Sequence, residues 1–184
     1  IAANKPNNLV AKENLIPTKP LSNHNTKTSF VFSVPQKDHL NFFGNESFQL
    51  LFDKTLDLME SLGGTKVECD FNPFKDAAKL LYDGPWVAER YSAIGEFLEK
   101  SPHALIDTTK KIIESGKQYS AADLFTAQNQ LRILQTTCSE IWNIADVLIT
   151  PTIGTAYQIR EINANPTSLN TNLGYYTNFV FLEF

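Results

Sequence analysis

Tyr82 and Arg90 stand eight residues apart in the segment Leu80–Ile94, LLYDGPWVAERYSAI, with Asp83-Gly84-Pro85 between them. A guanidinium presents a planar fork of N–H donors that matches a carboxylate. A phenol hydroxyl can donate to a carbonyl oxygen or accept from an amide. A chain reversal at Gly84 and Pro85 would bring both groups to one small polar ligand. Spacing alone leaves a second outcome open. Arg90 can pair with Glu89, Asp83 or another acid, and Tyr82 can fill a core edge, making the segment a structural corner.

Other chemistry is sparse. The chain has no GxxxxGK, GxGxxG, CxxC, HExxH or GxSxG motif, and no Ser-Ser pair. His24, His39 and His103 are scattered over loop-like positions and read as surface or loop-packing residues, because their spacing offers no metal-ligand partners. Asp70, Asp76 and Asp83 fall near predicted strand and helix ends, where capping is the default role. Lys110-Lys111 reads as a solvated helix face. Cys69 and Cys138 lack a partner motif and read as small apolar core residues. Two cysteines in 184 residues suit a reducing cytoplasm better than a secreted disulfide scaffold.

The elements that must position Tyr82 and Arg90 follow from periodicity. Phe30 to Pro35, FVFSVP, is a β-branched and aromatic run closed by proline, and predicts a strand. Asn45 caps a helix through Leu62, with Phe48, Leu51, Phe52, Leu58, Met59 and Leu62 near helical spacing and Gly63-Gly64 as the stop. The formal glycosylation sequon at Asn45 is read as this helix start. Lys66 to Phe71 alternates polar and apolar and predicts a second strand. Strand, helix, strand is a βαβ unit, whose crossover allows parallel pairing. Helices are then expected from Asn72 to about Tyr82, Pro85 to about Lys100, Ile106 to Ser115 and Ala121 to Ile144. Arg90 falls in the second turn of the second of these. Val147 to Thr150 predicts a third strand, residues 153 to 170 read as irregular, and Leu173 to Val180 as the start of one more helix. Residues 1–28, rich in Asn, Lys, Thr and Pro, read as a loop or linker.

Composition is that of a globular chain, 42% hydrophobic and 20% charged with net charge −4. A chain of this size can bury roughly 70% of its unfolded surface. The acidic balance argues against a nucleic-acid partner. No apolar run approaches the roughly 20 residues that span a bilayer, which argues against a membrane role. The N-terminal IAANKPNNLV has neither a signal-peptide core nor an initiator Met, so a fragment or a processed start is expected.

LLYDGPWVAERYSAI resembles the corresponding segment of allophanate hydrolase, the amidase-signature enzyme of urea breakdown. The resemblance runs from about Phe30 to Val180 and includes FVFSVP, LGGTKVECDFNPF, DVLITPT and TSLNTNLGYYTNFV in order. It implies an α/β fold, a mixed β-sheet flanked by helices, of which residues 29–184 supply the second, incomplete half. It implies substrate-binding roles for Tyr82 and Arg90, with the guanidinium on the carboxylate of allophanate and the phenol on its ureido part. Thr152 and Thr155, after the DVLITP strand, would line the same region. No cofactor or metal is implied. The family's nucleophilic serine, second serine and lysine base lie in a Gly- and Ser-rich first half that this sequence does not contain, so no residue here is catalytic by carry-over. In fungi the enzyme is fused to a biotin-dependent urea carboxylase, so such a fusion, or a homodimer, is the implied assembly. The family continues TNFV with Asn, two leucines and Asp, whereas Phe181-Leu182-Glu183-Phe184 follows here. Three functions therefore compete: part of an allophanate hydrolase, a non-catalytic binding remnant, and part of an amidase with another substrate. The carboxylate-seeking Arg90 favours allophanate over a neutral amide.

Overall fold

The computed structural model describes residues 29–177, the Tyr82 side chain excepted. The predicted linker 1–28, His24 and the closing segment 178–184 lie outside the described residues. Strand β1 (Phe30–Pro35) is the centre of a three-stranded sheet of order β2-β1-β3. It pairs in parallel with β2 (Gly64–Cys69) from Phe30↔Gly64 to Pro35↔Cys69, and with β3 (Val147–Leu148) at Phe32↔Val147 and Ser33↔Leu148. The mixed sheet expected from the resemblance is represented among the described residues by these parallel strands. Helix α1 (Glu46–Ser61) makes the expected β1–β2 crossover, and Asn45 caps it by accepting from the Phe48 N–H at 3.2 Å.

Successive residues of a strand point to opposite faces, so β1 serves two cores. Phe32 and Val34 bury against Phe42, Phe52 and Leu56 on the α1 side. The other face belongs to α2 (Asn72–Tyr82) and α5 (Ala121–Ser139), where Phe71, Phe74, Ala77, Leu134, Cys138 and Tyr176 cluster, with Val31, Val67, Cys69 and Leu148 packed against them. Helix α3 (Val87–Lys100) packs on α4 (Asp107–Glu114) and on the 3-10 turn Ser115–Gln118. Short α6 (Ile159–Ala164) and α7 (Pro166–Leu173) follow the third strand.

Several expectations are corrected. Residues 153 to 170 are not irregular throughout: Gln158 and Glu161 form a reciprocal cap that starts α6, and Pro166 at the first helical position starts α7. No helix begins at Leu173; α7 ends there, and Gly174 to Thr177 is turn. Strand β2 begins and ends two residues earlier than expected, because Gly64 pairs with Phe30 and Asp70 leaves the ladder to accept from the Asn72 N–H. β3 keeps only Val147–Leu148, α3 starts at Val87, and the helix expected to reach Ile144 gives way at Ser139 to the 3-10 turn Glu140–Asn143. On α1 the apolar arc is wider than one interface: Phe52 and Leu56 are buried, whereas Leu51, Leu58 and Leu62 are exposed.

Candidate functional site

The connections at the carboxyl ends of the strands are tied together by side chains far apart in sequence. His39 is buried, and its Nδ1 accepts the Phe71 N–H at 2.9 Å, so the ring proton of the neutral imidazole sits on Nε2. Asp70 Oδ1 lies 3.6 Å from Nδ1 and Asp38 Oδ2 3.9 Å from Nε2. The fully buried Tyr176 hydroxyl donates to the Asn41 carbonyl at 2.8 Å and accepts the Asn41 N–H. Burial pushes that phenol up to about 12, which keeps the donating proton in place. Tyr175 adds a long contact from its hydroxyl to the His39 carbonyl. The loop-packing reading of His39 is thereby given its partners, and His103 is exposed.

Tyr82 is the last residue of α2, and Arg90 is the fourth residue of α3, in its first rather than its second turn. Asp83 to Trp86 connect them. The Asp83 N–H donates to the Lys79 carbonyl at 2.7 Å, and the Asp83 carbonyl accepts from the Tyr119 hydroxyl at 3.2 Å, which fastens this corner to the segment before α5. Arg90 is exposed. Gly84 and Pro85 are buried. A Cβ on Gly84 would run into the Leu80 carbonyl oxygen, part of the last turn of α2. Gly84→Ala is therefore expected to destabilise the chain by about 1–3 kcal/mol, because backbone rather than a flexible side chain must move. Chemical denaturation measures it; a loss below about 0.5 kcal/mol would show that the corner relaxes freely.

Thr155 is buried, and its hydroxyl accepts from the Asn45 amide at 3.2 Å, so it braces the α1 cap. Thr152 is exposed. Of the three acids read as caps, Asp70 serves the start of α2, Asp83 is the C-cap that follows it, and Asp76 instead pairs with Lys79 inside the helix at 2.8 Å. Cys138 is buried, and desolvation pushes its thiol up to about 12; Cys69 is half-buried and its thiol is also raised, mainly by burial. Neither is an activated nucleophile.

A cleft of about 520 Å³ separates α2 from the end of α7. Lys75, Ala78, Lys79 and Asp83 line one wall, and Asn170, Thr171, Leu173, Gly174 and Tyr175 the other. The sequence reading missed it. Its signal was the i, i+3, i+4 spacing of Lys75, Ala78 and Lys79, which places them on one helix face. Nothing in the sequence shows which segment faces them. Among the described residues, no group of three or more His, Cys, Asp or Glu could hold a metal ion, and no helix is long and apolar enough to cross a membrane.

The parallel sheet with helices on both faces defines an α/β protein of the class represented by solved allophanate hydrolase structures. It superposes on the selenomethionine-substituted allophanate hydrolase of Kluyveromyces lactis with a TM-score of 0.80 at 29% identity, over 84% of this chain and 25% of that one. The chain is homologous to urea amidolyase and to that allophanate hydrolase, and corresponds to a fragment of each. It is 31% identical over 164 residues to urea amidolyase of Saccharomyces cerevisiae and 32% identical over 170 residues to that of Lachancea kluyveri. These matches cover 88% and 91% of this chain and 9% of the length of each relative. No protein-family model matches the sequence.

Proposed function

We propose that this chain is the substrate-holding portion of an allophanate hydrolase, which converts allophanate to ammonia and carbon dioxide in urea degradation. Arg90 takes the carboxylate of the substrate, and Tyr82 the ureido part. The nucleophilic serine, its partner serine and the lysine base come from residues outside these 184. The observation that supports this reading is the match to urea amidolyase over about nine-tenths of the chain, taken with the placement of Tyr82 and Arg90 at the two helix ends of one buried Gly-Pro corner. A binding pair without a nucleophile orients a substrate but forms no acyl-enzyme. Fusion to a urea carboxylase, or a homodimer, and a cytoplasmic setting belong to the same proposal.

The second reading, a non-catalytic binding remnant, is favoured by the lack of any Ser-Ser pair in the sequence. Two measurements decide. Ammonia release from allophanate by the 184-residue chain is expected to stay at the buffer background; sustained turnover would refute the assignment of the reacting groups to other residues. Sequencing the DNA upstream of the Ile1 codon is expected to show an in-frame Gly- and Ser-rich stretch with a lysine before it. A stop codon there would transfer the locus to the remnant reading. Hydrolysis of a neutral amide in preference to allophanate by the extended chain would instead indicate an amidase with another substrate.

A further inference from the structure

We propose that the cleft between α2 and α7 is a binding site for a small organic monocarboxylate with a flat body, held by the Lys75 ammonium. The cleft lies within the size range of small-molecule sites. Ala78, Leu173 and Tyr175 give it apolar lining, and Lys75, Lys79, Asp83, Asn170 and Thr171 are its polar side chains. The two lysines on its wall are not equivalent. Lys79 donates to Asp76 at 2.8 Å, and that hydrogen bond holds its ammonium above the ordinary lysine range. Lys75 is half-buried, has no carboxylate within ion-pair distance among the described residues, and sits 5.8 Å from the centre of the Tyr175 ring. An ammonium beside an aromatic face is attracted by the ring but keeps its hydrogen-bond donors unused. A carboxylate laid along that face satisfies them while its body covers the ring. Asn170 on the opposite wall supplies an amide for the same ligand, whereas the Thr171 hydroxyl already donates to the Thr167 carbonyl at 3.0 Å.

The ligand class follows from this inventory. One lining cation without an ion-pair partner among the described residues matches one negative charge. A neutral molecule of the same shape gains the apolar lining but not the ion pair. Arg90 does not line the cleft, so this site stands apart from the carboxylate partner proposed above.

Benzoate and its neutral isostere benzamide are suitable probes, titrated into the 184-residue chain and followed by NMR. Benzoate is expected to bind saturably and to shift the Tyr175 ring resonances. Lys75→Met should weaken benzoate by about tenfold to a hundredfold, the range of one charge-assisted hydrogen bond, and leave benzamide within about twofold. Lys79→Met should change benzoate by about twofold or less, because its ammonium is committed to Asp76. Leu173→Trp, which fills the cleft, should abolish both. Circular dichroism of each variant confirms that the fold persists. Absence of saturable benzoate binding, equal losses from Lys75→Met and Lys79→Met, or a loss from Arg90→Ala in place of Lys75→Met would each overturn the assignment. The last result would leave the Arg90 proposal standing.

Discussion

Phe71→Ala is expected to lower the unfolding free energy by about 3–5 kcal/mol, the usual range for removing a buried ring whose surroundings collapse only in part. Phe71 is 0% exposed, and its ring stacks on Phe74 with centroids 5.2 Å apart and planes 17° apart. It also lies 6.4 Å from the Tyr176 ring, centroid to centroid. The residue stands where β2 passes into α2, and its backbone N–H is the donor to His39. The substitution therefore empties the middle of the larger core while leaving that hydrogen bond available, which isolates the packing contribution. Urea denaturation gives the loss as a shift in midpoint, with an unchanged slope as the check that only stability moved. Phe97→Ala is the control. Phe97 is 52% exposed on α3, and its removal is expected to change stability by about 0.5 kcal/mol or less. Equal losses from the two variants would remove Phe71 from its place at the centre of the fold.

Arg90→Ala carries the second large effect, on function. In the extended, nucleophile-bearing enzyme the substitution should lower kcat/KM for allophanate by about tenfold to a hundredfold, the equivalent of roughly 1.5–3 kcal/mol for a charge-assisted hydrogen bond. The same change should alter hydrolysis of a neutral amide by about twofold at most, since that substrate offers Arg90 no carboxylate. Arg90→Lys should recover only part of the loss, because an ammonium keeps the charge but not the planar fork. Parallel losses on both substrates would make Arg90 a structural residue of the α2–α3 corner. Gly84→Ala provides the comparison, since it disturbs that corner without removing the guanidinium.

Local signals in the chain were sufficient for most elements. The FVFSVP strand, the Asn45 cap and the Asn72-Pro73 helix start were legible because each rests on neighbours within a few residues. α6 and α7 were overlooked because segment 153–170 is broken by Gly154, Asn165 and Pro166 into stretches too short to show a helical period, and their starts depend on one reciprocal Gln158–Glu161 cap and one N-terminal proline. The apolar arc of α1 was overread. Periodicity shows which residues share a helix face but not which face meets the sheet, so Leu51, Leu58 and Leu62 were grouped with Phe52 although they lie outward.

By itself, the sequence determined the βαβ unit, the order of the first five helices and the spacing of Tyr82 and Arg90, together with the absence of a Ser-Ser pair. Those are properties of spacing and residue type. Tertiary structure alone decided that Tyr176 closes on Asn41 across 135 residues, that His39 accepts from Phe71, and that Lys75 stands over Tyr175 in a cleft. The reason is physical. Spacing specifies which side chains share a helix or strand face over a few residues, whereas the meeting of two distant segments is set by how their apolar faces bury against one sheet.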